Sequence, residues 1–211
     1  AASDVYKRQI FAMAGSVTKR NEKTAAAIFE SLLLTGIAMS FTKTSRPGSG
    51  TEHIMAHFWE CMELLDGKTP NYHGEDVGVT TLIMLRYYEA LSRLPQVTAH
   101  PEVCNWDEIY RIYGPLAPDV QKLNTPDTIT DGIAPRRIEA CWPEIRRIVQ
   151  SVPSYDACLA AMRQAGCKTT IGEVGKAPDF VEISFRFHPY MRRRLSLKRV
   201  SHMLDLPEPL F

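Results

Sequence analysis

Apolar residues recur along this chain at helical spacing, and no stretch alternates for long with the two-residue period of a half-buried strand. The pattern predicts a long first helix from about Arg20 to Thr42. The loop TSRPGSG should end it, because Pro47 and the two glycines cannot continue a helix. A second helix is expected to start near Thr51, which suits the N-cap position, and a third to run from about Glu75 to Leu94.

Shorter helices are predicted farther along the chain, over ranges bounded by proline, glycine or polar residues: Asp107 to Tyr113, Pro135 to Ser151, Tyr155 to Gly166, Pro178 to Arg186 and Pro189 to Leu204. No internal repeat divides the sequence. The pattern therefore predicts an all-α fold.

The segment AAAIFESLLLTGIAMSF, residues 25–41, is apolar on nearly all sides. A helix that is apolar all round is typical of the interior of a helical domain. The segment is short for a membrane span and carries Glu30 and Ser31 within it. We therefore expect a buried core helix and no integral membrane segment.

Composition narrows the function classes. The 211 residues are long enough for one sizeable core or two small ones. They are 45% hydrophobic and 23% charged, with a formal net charge of +1, which is typical of a soluble globular protein. This near-neutral charge gives no electrostatic reason to expect nucleic acid as a partner. The five cysteines are odd in number, scattered and without a C-x-x-C pair, which favours a reducing compartment and a cytoplasmic location.

Nucleotide-binding and nucleophile motifs are missing from the sequence. It contains no G-x-G-x-x-G after a strand, no phosphate loop and no G-x-S-x-G. An enzyme with a nucleotide cofactor would have to bind that cofactor through residues outside this chain.

The first nine residues, AASDVYKRQ, stand apart from the rest. DVYKRQ can be encoded by GAT GTG TAT AAG AGA CAG, which matches a transposon end used to prepare sequencing libraries. We expect residues 1–9 to be an adapter-derived, non-native segment. The natural sequence would then begin near Ile10, within a longer protein.

Three histidines form the main candidate for chemistry. His53 and His57 are four residues apart and share one face of the second predicted helix. His73 follows in the next loop, which could bring it back beside that helix. Imidazoles suit zinc or iron, but a catalytic site needs a third protein ligand. Spacing alone leaves open that these histidines are ordinary hydrogen-bonded residues.

A motif around these histidines resembles a known family. The combination S-R-P-x-S-G-x-E-H-x-x-x-H followed by H-G-x-x-V-G, densest between Phe29 and Leu82, is similar to the helical domain of the sn-glycerol-1-phosphate dehydrogenases. That family lies within the wider group of iron-containing alcohol dehydrogenases, glycerol dehydrogenases and dehydroquinate synthases. The resemblance implies that residues 10–211 are a single helical-bundle domain that binds the metal. It also implies an N-terminal α/β nucleotide-binding domain that this chain lacks, and an active site in the cleft between the two domains.

The resemblance also implies roles for individual residues. The family holds a divalent metal with one Asp and two His. By position the two His are His53 and His73 in this chain, and the Asp would lie upstream of it. Zinc is expected, with iron or nickel as alternatives, and NAD or NADP would bind the missing domain. His57 is expected to be catalytic, with a structural role left open. Arg46 is expected to contact the substrate phosphate, or else to hold its loop through a salt bridge.

The implied reaction interconverts dihydroxyacetone phosphate and glycerol 1-phosphate by hydride transfer, with the metal as Lewis acid. This chain alone is expected to be inactive. The expected partner is a small-molecule substrate, and the formation of a homo-oligomer is left open. Another enzyme of the superfamily and a non-catalytic helical module are the alternatives. The basic segment MRRRLSLKR, residues 191–199, is predicted to be a solvated helix face rather than an anion site.

Overall fold

The computed structural model describes residues 11–207, and this range is predominantly helical. Residues 11–17 are helical and precede the named helices, which follow in chain order: α1 (Glu22–Thr42), α2 (Thr51–Leu65), α3 (His73–Ser92), α4 (Trp106–Tyr113), α5 (Ala117–Asn124), α6 (Pro135–Gln150), α7 (Tyr155–Gln164), α8 (Pro178–Phe187) and α9 (Leu197–Val200). Within the described residues, β-pairing is limited to one isolated bridge between Ala99 and Leu204. The prediction of an all-α fold is confirmed, whereas the predicted adapter segment, residues 1–9, lies outside the described residues.

The centre of the fold is the packing of α2 against α3. One face of α2 is almost fully buried and includes Met55, Phe58 and Trp59. The indole N–H of Trp59 donates a hydrogen bond to Oγ of Ser184 on α8 at 2.7 Å, so α8 packs against the same face. Burying side chains of this size stabilises the fold by about 2 kcal/mol each. This packing holds the opposite face of α2 in a fixed orientation.

Several predicted helix boundaries shift by one or two residues. Gly50 is the N-cap of α2, and Thr51 is its first helical residue rather than the cap. α3 begins at His73, two residues before the predicted start. The sequence pattern missed α5, which follows directly on the 3₁₀ turn Gly114–Leu116. Pro118 near the start of that helix explains the omission, because a proline is easily interpreted as a helix stop although it also suits a first turn.

The predicted helix from Pro189 to Leu204 is wrong. The chain instead forms the 3₁₀ segment His188–Met191, and the backbone is extended at Arg192, with φ −142° and ψ 135°. A helix resumes only at α9, where the Ser196 side chain accepts a hydrogen bond from the N–H of Arg199. A good N-cap at Ser196 favours a new start over a continuous helix. Arg192 and its neighbours are therefore not on a solvated helix face.

The prediction that residues 25–41 are buried is also wrong. α1 makes few contacts with the other helices, and only 6% of its most apolar window is buried. Four apolar side chains at four-residue spacing line one exposed face, with 51–85% of each accessible: Phe29, Leu33, Ile37 and Phe41. Among the described residues, α1 has the length and the apolar composition of a helix that could cross a membrane. One such helix is weak evidence for a membrane span. Apolarity on all sides indicates that a partner surface is needed, but not where that surface lies.

Candidate metal centre

The face of α2 opposite the core carries a row of polar side chains. His53, His57 and Glu60 are at positions i, i+4 and i+7, which lie above one another on a helix. All three are partly buried. The helix period that buries Phe58 and Trp59 therefore places two imidazoles and a carboxylate on one side of α2.

The start of α3 brings the third histidine to this face. The ring centroid of His73 lies 4.8 Å from that of His57, with the rings nearly parallel, and 5.3 Å from that of His53. His73 is the most exposed of the three. The structure thus brings all three predicted histidines into one cluster.

Glu60 joins two of these histidines. Its Oε1 lies 2.5 Å from Nδ1 of His73, and its Oε2 lies 2.9 Å from Nδ1 of His57. Burial alone would raise the pKa of the Glu60 carboxyl, but the hydrogen bonds and positive charge of the two histidines outweigh it and hold this pKa below the usual value. The group is therefore ionised near neutral pH and can only accept hydrogen bonds.

Glu52 has the same relation to His53. The Nδ1 of His53 lies 2.9 Å from Oε1 of Glu52, which also accepts a 3.0 Å hydrogen bond from the N–H of Gly50. Burial would raise the pKa of Glu52, but these hydrogen bonds lower it overall. Since each Nδ1 faces an ionised carboxylate, each Nδ1 donates the hydrogen bond, and in a neutral ring the Nε2 lone pair is then free to bind a metal.

The chemistry of these residues fits a divalent metal. One ligand atom from each of His57, Glu60 and His73 can be chosen so that all three lie within 4.8 Å of one another. Imidazole nitrogen and carboxylate oxygen are ligands that zinc and iron accept. Histidines that donate their second N–H to a carboxylate are the usual arrangement around such metals.

A small cavity adjoins the cluster. It has a volume of about 360 Å³ and is lined by Ser45, Gly48, Ser49, His53, Ile54, His57, Arg192 and Arg194. Two of the histidines therefore face a space suited to a small molecule. A larger cavity of about 850 Å³, lined in part by Lys198 and His202, contains none of the predicted site residues.

Arg46 lies apart from this cavity. Its side chain is exposed and is not among those that line the space beside the histidines. Its assignment to the substrate phosphate stays a prediction that the geometry does not support. Arg192 and Arg194, which the sequence pattern assigned to a solvated helix face, line the cavity instead.

Sequence reasoning missed Glu60 and both arginines. Glu60 could have been found, because it is three residues after His57 on the same helix and shares its face. Arg192 and Arg194 lie in a basic segment whose pattern favoured a solvated helix face. Their place at the cavity follows from contacts between segments distant in sequence, such as the bonds from Arg194 to Ser45 and Ser49.

Comparison with known proteins identifies relatives of one name. The chain is 27% identical over 190 residues to a glycerol-1-phosphate dehydrogenase [NAD(P)+] of Geobacillus stearothermophilus, a match that covers 90% of this chain and 40% of the relative. An enzyme of the same name from Bacillus subtilis is 25% identical over 185 residues, or 87% of this chain and 37% of the relative. One from Thermococcus kodakarensis is 41% identical over 64 residues, which are 30% of this chain and 17% of the relative.

These relatives confirm the resemblance that the histidine motif indicates. No family model matches the chain, and no solved structure matches it significantly. Where a curated relative matches most of this chain, the chain spans about two fifths of the length of that relative.

Proposed function

We propose, from the similarity of this chain to the glycerol-1-phosphate dehydrogenases, that it is the metal-binding part of an NAD(P)-dependent enzyme that interconverts dihydroxyacetone phosphate and glycerol 1-phosphate. The observation that carries this proposal is the cluster of His53, His57 and His73 within the segment that the motif matches. The sequence similarity supplies the reaction. Of the two proposed ligands, His73 belongs with His57 and Glu60 to the group of described residues whose ligand atoms lie within 4.8 Å of one another, and His53 lies outside that group.

In this proposal His53 and His73 would hold the metal, and a third protein ligand would come from outside the chain. When bound, the metal supplies Lewis-acid polarisation of the substrate's carbonyl oxygen. Glu52 and Glu60 hold the histidine rings in one tautomer and one orientation through the Nδ1 hydrogen bonds. His57 faces the adjoining cavity, where it can hold or deliver a proton next to the substrate oxygen.

The exposed apolar face of α1 supports a longer protein. A row of accessible side chains that includes Phe29, Leu33 and Phe41 is unfavourable in water and is typical of a surface that another domain or subunit covers. We therefore propose that residues 10–211 form one helical domain beside a nucleotide-binding domain that supplies the NAD(P) site. The cysteines are free within the described residues, which agrees with a cytoplasmic location.

Metal titration of the chain tests the ligand assignment. We expect zinc to bind the 211-residue chain weakly, because a ligand is missing, and His53→Ala or His73→Ala to reduce that affinity at least tenfold. His100→Ala, a histidine outside the cluster, is the matched control. Isothermal titration with zinc measures the effect, and unchanged affinity in both cluster variants would reject the assignment.

Turnover tests the activity itself. The chain alone should show no oxidation of NADPH with dihydroxyacetone phosphate, whereas the longer protein that contains it should turn over. Activity of the isolated chain would contradict the proposed division into two domains. A longer protein without activity would instead favour a non-catalytic helical module.

A further inference from the structure

The segment after α8 places two arginines on one wall of the cavity beside the histidines. We propose that Arg192 and Arg194 form a binding subsite for the anionic end of the substrate, a phosphate monoester. This inference rests on the proposed function, because the histidine cluster is then the place where the other end of the molecule reacts. The sequence pattern favoured a solvated helix face over an anion site for these residues.

Arg194 is held in place by the loop that precedes α2. Its Nη1 donates a hydrogen bond to the carbonyl oxygen of Ser49 at 2.8 Å, and its Nη2 donates to Oγ of Ser45 at 2.5 Å. Both acceptors are uncharged, so the positive charge of this guanidinium is not neutralised by them. A guanidinium that is already oriented loses little conformational entropy when it binds an anion.

Arg192 and Arg193 differ in what they contact. Arg193 forms an ion pair with Asp127 at 2.5 Å and donates to the carbonyl oxygen of Leu123, away from the cavity. Within the part of the chain that the structure describes, the Arg192 side chain has no hydrogen bond or ion pair, and it lines the cavity. The N–H of Arg194 donates a 2.8 Å hydrogen bond to the carbonyl oxygen of Arg192 and closes a three-residue turn. Arg193 is the middle residue of this turn, and its side chain is directed away from the two cavity arginines.

The rest of the lining also favours an anion. None of the residues that line the cavity is acidic, and Ser45 and Ser49, which accept hydrogen bonds from Arg194, line it as well. The carboxylate of Glu52, near the start of α2, is occupied by His53 and the Gly50 N–H. Two guanidinium groups match the charge of a phosphate monoester, about −1.5 to −2 at neutral pH.

The shape of the cavity sets the size of the ligand. Its volume of about 360 Å³ is at the low end for small-molecule sites, which suits a three-carbon phosphate. The arginines and His53 and His57 line the same space, so a ligand with its phosphate at Arg192 would present its other end to the imidazoles. The cavity thus distinguishes a phosphorylated substrate from the same molecule without phosphate.

Inorganic phosphate is the probe for this subsite. We expect titration of the 211-residue chain with phosphate to give saturable shifts of the Ser49 and Gly50 amide resonances in ¹H–¹⁵N spectra. Arg192→Gln should weaken binding about tenfold, since one charge-assisted hydrogen-bonding group is lost. Arg193→Gln removes the same charge one residue away, and we expect it to change the affinity less than twofold.

Equal losses in Arg192→Gln and Arg193→Gln would overturn the proposal, because they would show a general charge effect. Shifts that do not saturate would overturn it as well. Arg194→Gln can loosen the loop at Ser49, so Arg194→Lys, which keeps the charge and loses the forked geometry, is compared with it after thermal melts establish folding. A loss of affinity in folded Arg194→Lys supports the subsite, and unchanged affinity counts against it.

The phosphate assay needs neither metal nor nicotinamide, so it separates this inference from the proposed function. If phosphate binds as expected but the longer protein does not turn over dihydroxyacetone phosphate, the dehydrogenase proposal fails and the anion subsite stands. If the longer protein turns over and Arg192→Gln leaves KM for dihydroxyacetone phosphate unchanged, the subsite assignment fails alone. A KM raised about tenfold with little change in kcat supports both.

Discussion

At the scale of single residues, the three clustered histidines share one arrangement. His57 and His73 both face Glu60, and His53 faces Glu52, in each case through Nδ1. The carboxylates therefore decide which ring nitrogen carries the proton. In the neutral rings, the three Nε2 atoms are then available as bases or metal ligands. Three histidines without neighbouring carboxylates would not be held in this one tautomer.

Glu60→Gln tests this arrangement. The amide has nearly the same size but lacks the charge that keeps the protons on Nδ1 of His57 and His73, so we expect zinc affinity to fall about 10- to 100-fold. The Nδ1 and Nε2 resonances of both rings should also shift toward a mixture of tautomers. Asp66→Asn, which neutralises an exposed carboxylate just after α2, is the control. Unchanged affinity and unchanged ring resonances in Glu60→Gln would contradict the role assigned here.

At the scale of secondary-structure elements, α1 and α2 differ in where their apolar side chains go. α2 packs against α3, α8 and the segment after α8, and it buries Phe58 completely. This packing orients the histidine face of α2. α1 is more apolar but has Phe41 85% accessible. Hydrophobicity determines that a helix needs an apolar surface to cover it, and the position of that surface depends on the rest of the assembly.

Paired alanine substitutions measure this difference. Phe58→Ala should lower the free energy of unfolding by about 3–5 kcal/mol, since it opens a cavity in the core. Phe41→Ala should change it by less than about 0.5 kcal/mol, because the ring contacts little within the chain. Urea denaturation followed by circular dichroism provides both values. A loss of about 2 kcal/mol or more in Phe41→Ala would show that α1 is packed within this chain after all.

At the scale of the whole molecule, a buried network ties the C-terminal segment to the loop before α4. Glu102 pairs with Nε of Arg199 at 2.9 Å and lies 3.4 Å from Nδ1 of His202. Removing one member of such a pair costs about 3–5 kcal/mol, because the other charge stays buried. The same segment carries Arg192 and Arg194, so this network helps to position the cavity wall.

Two histidines near this network make stability depend on pH. Burial and the nearby charge of Lys198 lower the pKa of His188 to about 3. Burial also lowers the pKa of His202 to about 4, although Glu102 opposes this shift. Between these values and the ordinary pKa near 6.5, the unfolded chain binds protons that the folded chain does not. Acid therefore favours unfolding, and the penalty starts as the pH falls below about 6.5.

We expect the free energy of unfolding to fall by about 2–3 kcal/mol per pH unit between pH 6 and 4.5, as two histidines contribute about 1.4 kcal/mol each. Urea denaturation at several pH values measures the slope. His202→Gln should reduce it by about half, whereas His100→Gln, with an exposed side chain, should leave it unchanged. A flat profile over this range would show that His188 and His202 are protonated in the folded protein.

The sequence by itself determined most of the helices, though not α5 or the segment after α8, and the face of α2 that carries the site. Helix formation and side-chain direction follow from spacing over three or four residues, so His53 and His57, and by the same rule Glu60, can be assigned to one face. The motif around them also identified the relatives that the comparisons confirm.

Only the tertiary structure decided which other groups meet that face. The bond between Arg194 and the Ser49 carbonyl joins residues 145 positions apart, and no local pattern reports such a contact. The same limit explains α1, whose hydrophobicity is a property of its own residues while its exposure depends on what packs against it. Local spacing placed His53 and His57 on one face, whereas long-range packing made the cavity beside them and lined it with Arg192 and Arg194.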